Sequence, residues 1–296
     1  MEAFLQLLIN GVLVGFLYGL VAFGFVLIVK GSGVINFAQG HLMLLGAYLV
    51  AWLSVDRELS IYVAVPAGML FMMVVGLIIE RFALRPLENE PLLSLVMATI
   101  ALAIVIEGAT FLAFGEHTRA LPRAFPQEPL LFGGLRIRQL NLWAMGISLV
   151  FMAGFGWFFT RSRLGLAMQA VSDDRLAAQA LGVNTRRVNA GAWALAGAIA
   201  AFGGFVWGSI IGVGPTLIVV GLFFVFPVVI LGGLESILGA IIGGITVGVI
   251  QNLAGGYIDP IIGGGFSTLA APALLLLIVL IVRPYGLFGR PKIERV

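Results

Sequence analysis

The sequence predicts an all-α, polytopic integral membrane protein with about nine transmembrane helices, within a range of roughly eight to ten. Of its 296 residues, 60% are hydrophobic and only 10% are charged. A soluble domain of this length would lack the polar residues needed to cover its surface. Apolar stretches of about 20 residues, long enough to cross a bilayer as helices, recur along the chain. Residues 1–296 are therefore expected to form a single membrane domain.

The predicted spans follow one another with short connections. The first follows Glu2 rather than a basic segment and lacks a small-x-small cleavage site, so it is expected to stay as a helix rather than be removed as a signal peptide. The helix count around residues 217–256 stays open, because Pro227, Gly232–Gly233 and Glu235 allow either a tight turn or a broken helix. The predicted spans are 4–29, 34–54, 60–80, 92–115, 141–160, 188–211, 217–233, 236–256 and 268–282.

The lysines and arginines predict an external N-terminus and a cytoplasmic C-terminus. This orientation places 12 of the 17 basic residues on the cytoplasmic side, as the positive-inside rule requires. Four of the other five lie in one external loop, residues 116–140, which also contains three prolines and is long enough to be ordered. The twelve are Lys30, Arg81, Arg85, Arg161, Arg163, Arg175, Arg186, Arg187, Arg283, Arg290, Lys292 and Arg295.

The composition also excludes several classes of function. The chain has no cysteine, which excludes disulfides and thiolate metal sites and favours a bacterial cytoplasmic (inner) membrane. A net charge of +3 is too small to indicate binding to nucleic acid. The sequence has no Walker-type phosphate-binding run and no matched nucleophile, base or metal-ligand set. We therefore expect no catalytic residues, no metal site and no enzyme activity in this chain.

Glycines spaced four residues apart predict close helix packing. Gly11, Gly15 and Gly19 lie on one face of the first span, and Gly244 with Gly248 repeats the spacing late in the chain. Small residues at this spacing let helix backbones approach each other within a membrane. Packing inside the chain is favoured over a subunit interface.

Three polar residues inside predicted spans are candidates for function. Asn36 and Gln39 share a helical face and are expected to face protein or water rather than lipid. They either hydrogen-bond a neighbouring segment or line a translocation path, and both alternatives stay open. His41 points elsewhere and is expected to pack. Glu107 is the one acid well inside a confident span, with no obvious basic partner, so an ion-coupled carrier using Glu107 is an alternative function.

The segment 161–187 is the longest polar stretch on the predicted cytoplasmic side. Asp173 and Asp174 precede a run of strong helix formers, and Gly182 follows as a stop, which predicts a short helix. Ala177, Ala178 and Leu181 are expected to share one face of it, with arginines on both flanks. Such a helix either lies along the membrane surface or docks on a partner protein.

Three stretches together resemble a known family. "LAAQALG", residues 176–182, is similar to the Glu-Ala-Ala-x-x-x-Gly coupling motif of bacterial ABC importer permeases, with Leu176 in place of the glutamate. With "GVINFAQGHLMLLGAY" at 33–48 and "LGGLESILGAIIGGI" at 231–245, the chain resembles the permeases of branched-chain amino acid ABC transporters, the LivH type. The three landmarks occur in the family's order along essentially the full chain.

The resemblance implies a permease subunit of an ATP-driven importer that forms half of the translocation path. The implied partners are a second permease, homologous or identical, two cytoplasmic ATPase subunits that bind the ATP, and an external solute-binding protein. No cofactor is implied in this chain. The solute stays open among branched-chain amino acids, urea, amides and aromatic acids. The residues implied to couple to the ATPase are Asp173, Asp174, Arg175, Ala177, Ala178, Leu181 and Gly182.

Overall fold

The computed structural model describes residues 1–88, 90–126, 128–132 and 134–289, which are mainly helical. They contain thirteen α-helices and two short strands. The helices are α1 (Glu2–Ser32), α2 (Gln39–Ala51), α3 (Ile61–Ile79), α4 (Leu92–Phe114), α5 (Gln139–Arg161), α6 (Arg163–Asp173), α7 (Arg175–Ala180), α8 (Thr185–Ile211), α9 (Thr216–Val219), α10 (Val225–Gly232), α11 (Ile237–Tyr257), α12 (Asp259–Ile262) and α13 (Ala271–Val282). Short π-helical turns occupy Trp52–Asp56, Glu80–Leu84, Val220–Phe224 and Phe266–Ala270, and a 3-10 turn occupies Arg85–Leu87.

Each predicted span contains helical structure, but residues 34–38 of the second span precede α2. The expectation that Asn36 shares a helical face with Gln39 is therefore wrong, because Asn36 lies in the connection between α1 and α2. Within the part of the chain that the structure describes, six helical segments are long and apolar enough to cross a membrane. Helix α2, of 13 residues, and the apolar segments Thr216–Gly232 and Ala271–Val282 are shorter. A polytopic helical protein is thus confirmed, whereas the number of crossings and their direction stay predictions. The basic residues Arg290, Lys292 and Arg295 lie outside the described residues.

The open question around residues 217–256 is resolved as a turn between two helices. Helix α10 ends at Gly232, Gly233 has a φ of 99°, and α11 begins at Ile237. The backbone N–H of Ser236 donates to the Gly233 carbonyl at 3.0 Å. The Ser236 hydroxyl then accepts from the Gly239 N–H at 2.9 Å and caps α11. The positive φ at Gly233 explains why this position carries a glycine.

The chain divides into two compact units. The first comprises Met1–Ala22, Gln127–Leu149 and Phe223–Val296, and the second comprises Phe23–Pro126 and Val150–Leu222. In the first, the predicted glycine packing is confirmed, because a Cβ on Gly248 would overlap the Gly11 carbonyl oxygen of α1. The Tyr18 hydroxyl donates to Gln251 Oε1 at 2.6 Å across the same pair of helices.

The second unit packs α2, α3 and α8 at similarly close range. A Cβ on Gly46 of α2 would lie 2.5 Å from the Cα of Ala201 on α8, and one on Gly76 of α3 would overlap the Trp193 carbonyl. Trp193 is 1% exposed. The backbones therefore meet through small residues rather than through interlocking long side chains.

Among its described residues, the predicted external loop contains β-structure. Strands β1 (Pro129–Phe132) and β2 (Leu135–Arg138) form an antiparallel hairpin in which Pro129 is opposite Arg138. The Gln6 side chain accepts from the Arg136 N–H at 2.8 Å and donates to its carbonyl at 2.6 Å. The all-α prediction omitted this hairpin, because the apolar pattern of 116–140 is too short to stand out beside membrane spans. Gln127 and Gly133 of this loop lie outside the described residues.

Candidate coupling helix and buried polar cluster

Helix α7 begins and ends where the sequence predicts. Asp174 has extended backbone angles, and its Oδ1 accepts from the N–H groups of Leu176 at 3.0 Å and Ala177 at 2.9 Å. This carboxylate satisfies two N–H groups that a helix start leaves free. At the other end, Gly182 has a φ of 87° and its N–H donates to the Gln179 carbonyl. Asp173 is the last residue of the preceding helix α6.

The surface of α7 differs from the predicted face. Leu176 is 78% exposed and Leu181 86% exposed, and Ala177 is also exposed. Ala178 is only 3% exposed. Ala178 therefore faces the protein, whereas Ala177 and Leu181 face outward. The expectation that Ala178 shares an outward face with Ala177 and Leu181 is therefore wrong. Leu176, which departs from the motif, is part of the exposed surface instead.

Ion pairs hold both flanks of α7. Arg175 Nη2, in the first residue of α7, donates to Glu88 Oε1 at 2.6 Å. Arg186 Nε, in the first turn of α8, lies 3.5 Å from Glu88 Oε2. Sequence reasoning missed Glu88, because it belongs to the connection between α3 and α4, far from α7 in the chain.

Asn36 and Gln39 lie where α1 ends and α2 begins. Asn36 Oδ1 accepts from the Ala38 N–H at 3.0 Å, and Asn36 Nδ2 donates to Gln39 Oε1 at 3.1 Å. Each residue is 1% exposed. Burial and the Asn36–Gln39 hydrogen bond favour the structural alternative, because Asn36 pairs both with Gln39 Oε1 and with the start of α2. Gln39 Nε2 has no partner within the described structure. The path-lining role stays a prediction.

Thr99 of α4 contacts the same connection. Its Oγ1 accepts from the Phe37 N–H at 3.3 Å. Its single hydroxyl proton has two acceptors within reach, the Val96 carbonyl of α4 at 2.9 Å and the Ile35 carbonyl at 3.2 Å. Thr99 is fully buried. Helix α4 is thus attached to the α1–α2 connection through one hydroxyl group.

Glu107 has a basic partner that the sequence did not indicate. Its Oε2 lies 3.3 Å from Nε2 of His41 on α2. The side chain of Glu107 is 39% exposed, whereas that of His41 is 8% exposed. The expectation that Glu107 lacks a basic partner is wrong, because the partner lies on a different helix and no spacing along the chain reveals it. His41 packs as expected and also orients this carboxylate. Among the described residues, no three His, Asp or Glu side chains are grouped to hold a metal ion.

Comparisons with known proteins agree with these features. The family model described as branched-chain amino acid transport system, permease component, matches residues 7–283. The chain is 31% identical over 307 residues to the high-affinity branched-chain amino acid transport system permease protein BraD of Pseudomonas aeruginosa, covering 99% of this chain and 98% of BraD. It is also 31% identical over 308 residues to the permease protein LivH of Escherichia coli K12, covering 99% and 98%.

A solved structure has a similar fold. A chain of PsaBC from Streptococcus pneumoniae, in complex with Fab, superposes with a TM-score of 0.53 over 96% of this chain and 94% of that chain. Its sequence identity of 14% makes this a likeness of fold alone. The family match supports an ATP-driven permease over the ion-coupled carrier and over an enzyme. Residues 7–283 and the full-length relatives establish that this chain belongs to the family of branched-chain amino acid transport system permease components.

Proposed function

We propose that this chain is the membrane subunit of an ATP-driven importer for branched-chain or related amino acids in a bacterial inner membrane. It forms half of the translocation path with a second permease, homologous or identical. The match across residues 7–283, to a family of transport permeases, supports this proposal. Two cytoplasmic ATPases bind and hydrolyse the ATP, and an external solute-binding protein delivers the amino acid.

The ATPase docks on the surface formed by Leu176 and Ala177 of α7 and by Leu181, the residue that directly follows α7. We call it the docking surface. Two leucines with 78% and 86% of their surface exposed, one on α7 and one directly after it, carry this proposal. Leaving them in water is unfavourable, and an apolar groove on a partner protein would cover them. Asp174 and Gly182 fix the two ends of α7, so they position this surface rather than contact the partner.

A single substitution tests the docking surface. In Leu181→Glu, a charge replaces apolar contact area, and we expect ATPase association to weaken by about tenfold or more. Leu166→Glu is the matched control, because Leu166 is also an exposed leucine of segment 161–187 but lies on α6 and is not part of the docking surface. Co-purification of the ATPases and hydrolysis stimulated by leucine-loaded binding protein are measured. Undiminished association in Leu181→Glu would rule out this surface.

We propose further that the chain crosses the membrane nine times, once in each of the nine predicted spans, with an external N-terminus. Contacts within each unit support this alternation. In the second unit, Arg119 donates to Asp56 at 2.5 Å, which joins two predicted external loops. In the same unit the Arg175–Glu88 pair joins two predicted cytoplasmic segments.

The solute is identified by the same hydrolysis measurement. Leucine, urea, a short amide and an aromatic acid are each presented to the assembled complex with the binding protein. We expect leucine to stimulate hydrolysis most. Stimulation by urea alone would assign the chain to a different solute within the same permease architecture.

A further inference from the structure

We infer that Glu88 is a positioning residue that links the docking surface to helix α4, so that displacement of α7 by the ATPase moves α4 and the α1–α2 connection. This inference rests on the proposed docking of an ATPase on α7. It adds a residue outside the coupling segment, and it names the element that receives the motion.

One carboxylate contacts both ends of the α7 segment. Glu88 Oε1 accepts from Arg175 Nη2 at 2.6 Å, and Glu88 Oε2 lies 3.5 Å from Arg186 Nε. Arg175 opens α7 and Arg186 lies in the first turn of α8. Because both flanks are held by the same side chain, α7 cannot shift without pulling on Glu88 or breaking the contacts.

The Arg175 contact is the stronger of the two. It is a short charge-assisted hydrogen bond between side chains that are 35% and 19% exposed. Arg186 is 67% exposed, and exposed ion pairs contribute little because water and salt screen them. The neighbouring Arg85 is already bound to Glu80, at 2.8 Å, so it does not compete for Glu88. Displacement is therefore transmitted mainly through Arg175 and Glu88.

Helix α4, the α-helix nearest to Glu88 in the chain, is the element that would carry the motion onward. It begins at Leu92 and continues without interruption to Phe114, so it moves as a rod. Thr99 attaches it to the α1–α2 connection through Ile35 and Phe37, and farther along the same helix Glu107 contacts His41. A movement of α4 must therefore carry this connection with it or break buried contacts. The Asn36–Gln39 cluster lies in that connection.

A purely stabilising role for Glu88 makes a different forecast. If Glu88 only stabilises the fold, replacing it should lower the thermal stability of the complex in proportion to any loss of transport. If Glu88 links α7 to α4, replacing it should leave ATPase association intact and lower the amount of solute moved per ATP hydrolysed. The ratio of transport to hydrolysis, called the coupling ratio, is therefore the informative measurement.

The test uses the complete complex in proteoliposomes with leucine-loaded binding protein. In Glu88→Gln we expect normal ATPase association and a coupling ratio about tenfold lower, within the usual range of coupling between sites. Glu90→Gln is the matched control, since Glu90 is an exposed carboxylate in the same connection. A normal coupling ratio in Glu88→Gln would overturn the inference. So would a loss of ATPase association equal to the loss of transport.

A double variant tests whether Glu88 acts with Arg175. If the two side chains work as one unit, Glu88→Gln combined with Arg175→Gln should lower the coupling ratio no further than Glu88→Gln alone. Additive losses would show that Glu88 does not act through Arg175 and would overturn the inference. These results are separable from the docking proposal, which fails instead if Leu181→Glu leaves association undiminished.

Discussion

At the scale of single residues, buried amides in an apolar protein are informative because each unpaired polar atom costs free energy. Asn36 satisfies two groups at once, the Ala38 N–H and the side-chain oxygen Oε1 of Gln39. Gln39 Nε2 has no partner within the described structure. Asn36 is therefore the side chain on which the cluster depends.

Asn36→Ala should destabilise the protein by about 1–3 kcal/mol, because it leaves a buried donor and a buried acceptor unpaired. Asn252→Ala on α11 is the control, since Asn252 Nδ2 bonds only a carbonyl of its own helix, that of Gly248. Thermal unfolding in detergent measures both changes. Unchanged stability together with reduced transport would instead favour the path-lining role of this cluster.

Gly182 is expected to matter through its backbone alone. A Cβ there would meet no atom within 4 Å, yet the residue has a φ of 87°. Valine adopts that region at a cost of about 1–2 kcal/mol, whereas asparagine enters it more readily. Gly182→Val should weaken ATPase association by about tenfold and Gly182→Asn by clearly less. Equal affinities for the two variants would mean that the turn after α7 does not position the docking surface.

Sequence patterns predicted the local features of the site but missed the contacts between segments that are distant in the chain. The Asp174 cap and the Gly182 stop follow from residue types within one turn of α7. The His41–Glu107 and Arg175–Glu88 contacts join segments far apart in the chain, and nothing in either local pattern points to the partner. Ala178 was misassigned because a six-residue helix carries too little periodicity to show which side faces the protein.

At the scale of elements, hydropathy placed the helices because an apolar stretch in a bilayer must satisfy its backbone internally. The same argument could not place the β1–β2 hairpin, which lies outside the apolar stretches. Glycine spacing predicted a tight helix contact, and the structure assigns it to α1 and α11.

The α1–α11 contact should be sensitive to a single methyl group. Gly248→Ala places a Cβ against the Gly11 carbonyl, and overpacking of this kind costs about 1–3 kcal/mol. Gly154→Ala on α5 is the control, because a Cβ there meets no atom within 4 Å. It should be neutral or raise stability by up to about 1 kcal/mol through helix propensity. Equal unfolding midpoints for the two variants would contradict this account of the helix contact.

At the scale of the whole molecule, contacts within each unit follow the alternation that the basic residues predict. In the first unit, Gln6, at the predicted external end of the first span, binds Arg136 of the hairpin in the predicted external loop. In that unit the Leu287 N–H donates to the Leu231 carbonyl at 2.7 Å, and both are predicted to lie at the cytoplasmic side. Each pairing requires an even number of crossings between its two residues. The predicted spans place an even number of crossings between the residues of each pair.

Single cysteines introduced into this cysteine-free chain decide the orientation. Arg187 and Arg123 are exposed, and their side chains take no part in the docking surface or the Glu88 contacts. With the proposed orientation, a membrane-impermeant thiol reagent applied to intact cells should label Arg123→Cys and should label Arg187→Cys only after the membrane is opened. Retained transport in both variants controls for correct folding. Labelling of both positions from the same side would eliminate the nine-crossing arrangement, because an odd number of crossings separates these two residues in it. Reversed labelling would keep the crossings but invert the protein, and it would place α7 where no cytoplasmic ATPase could reach it.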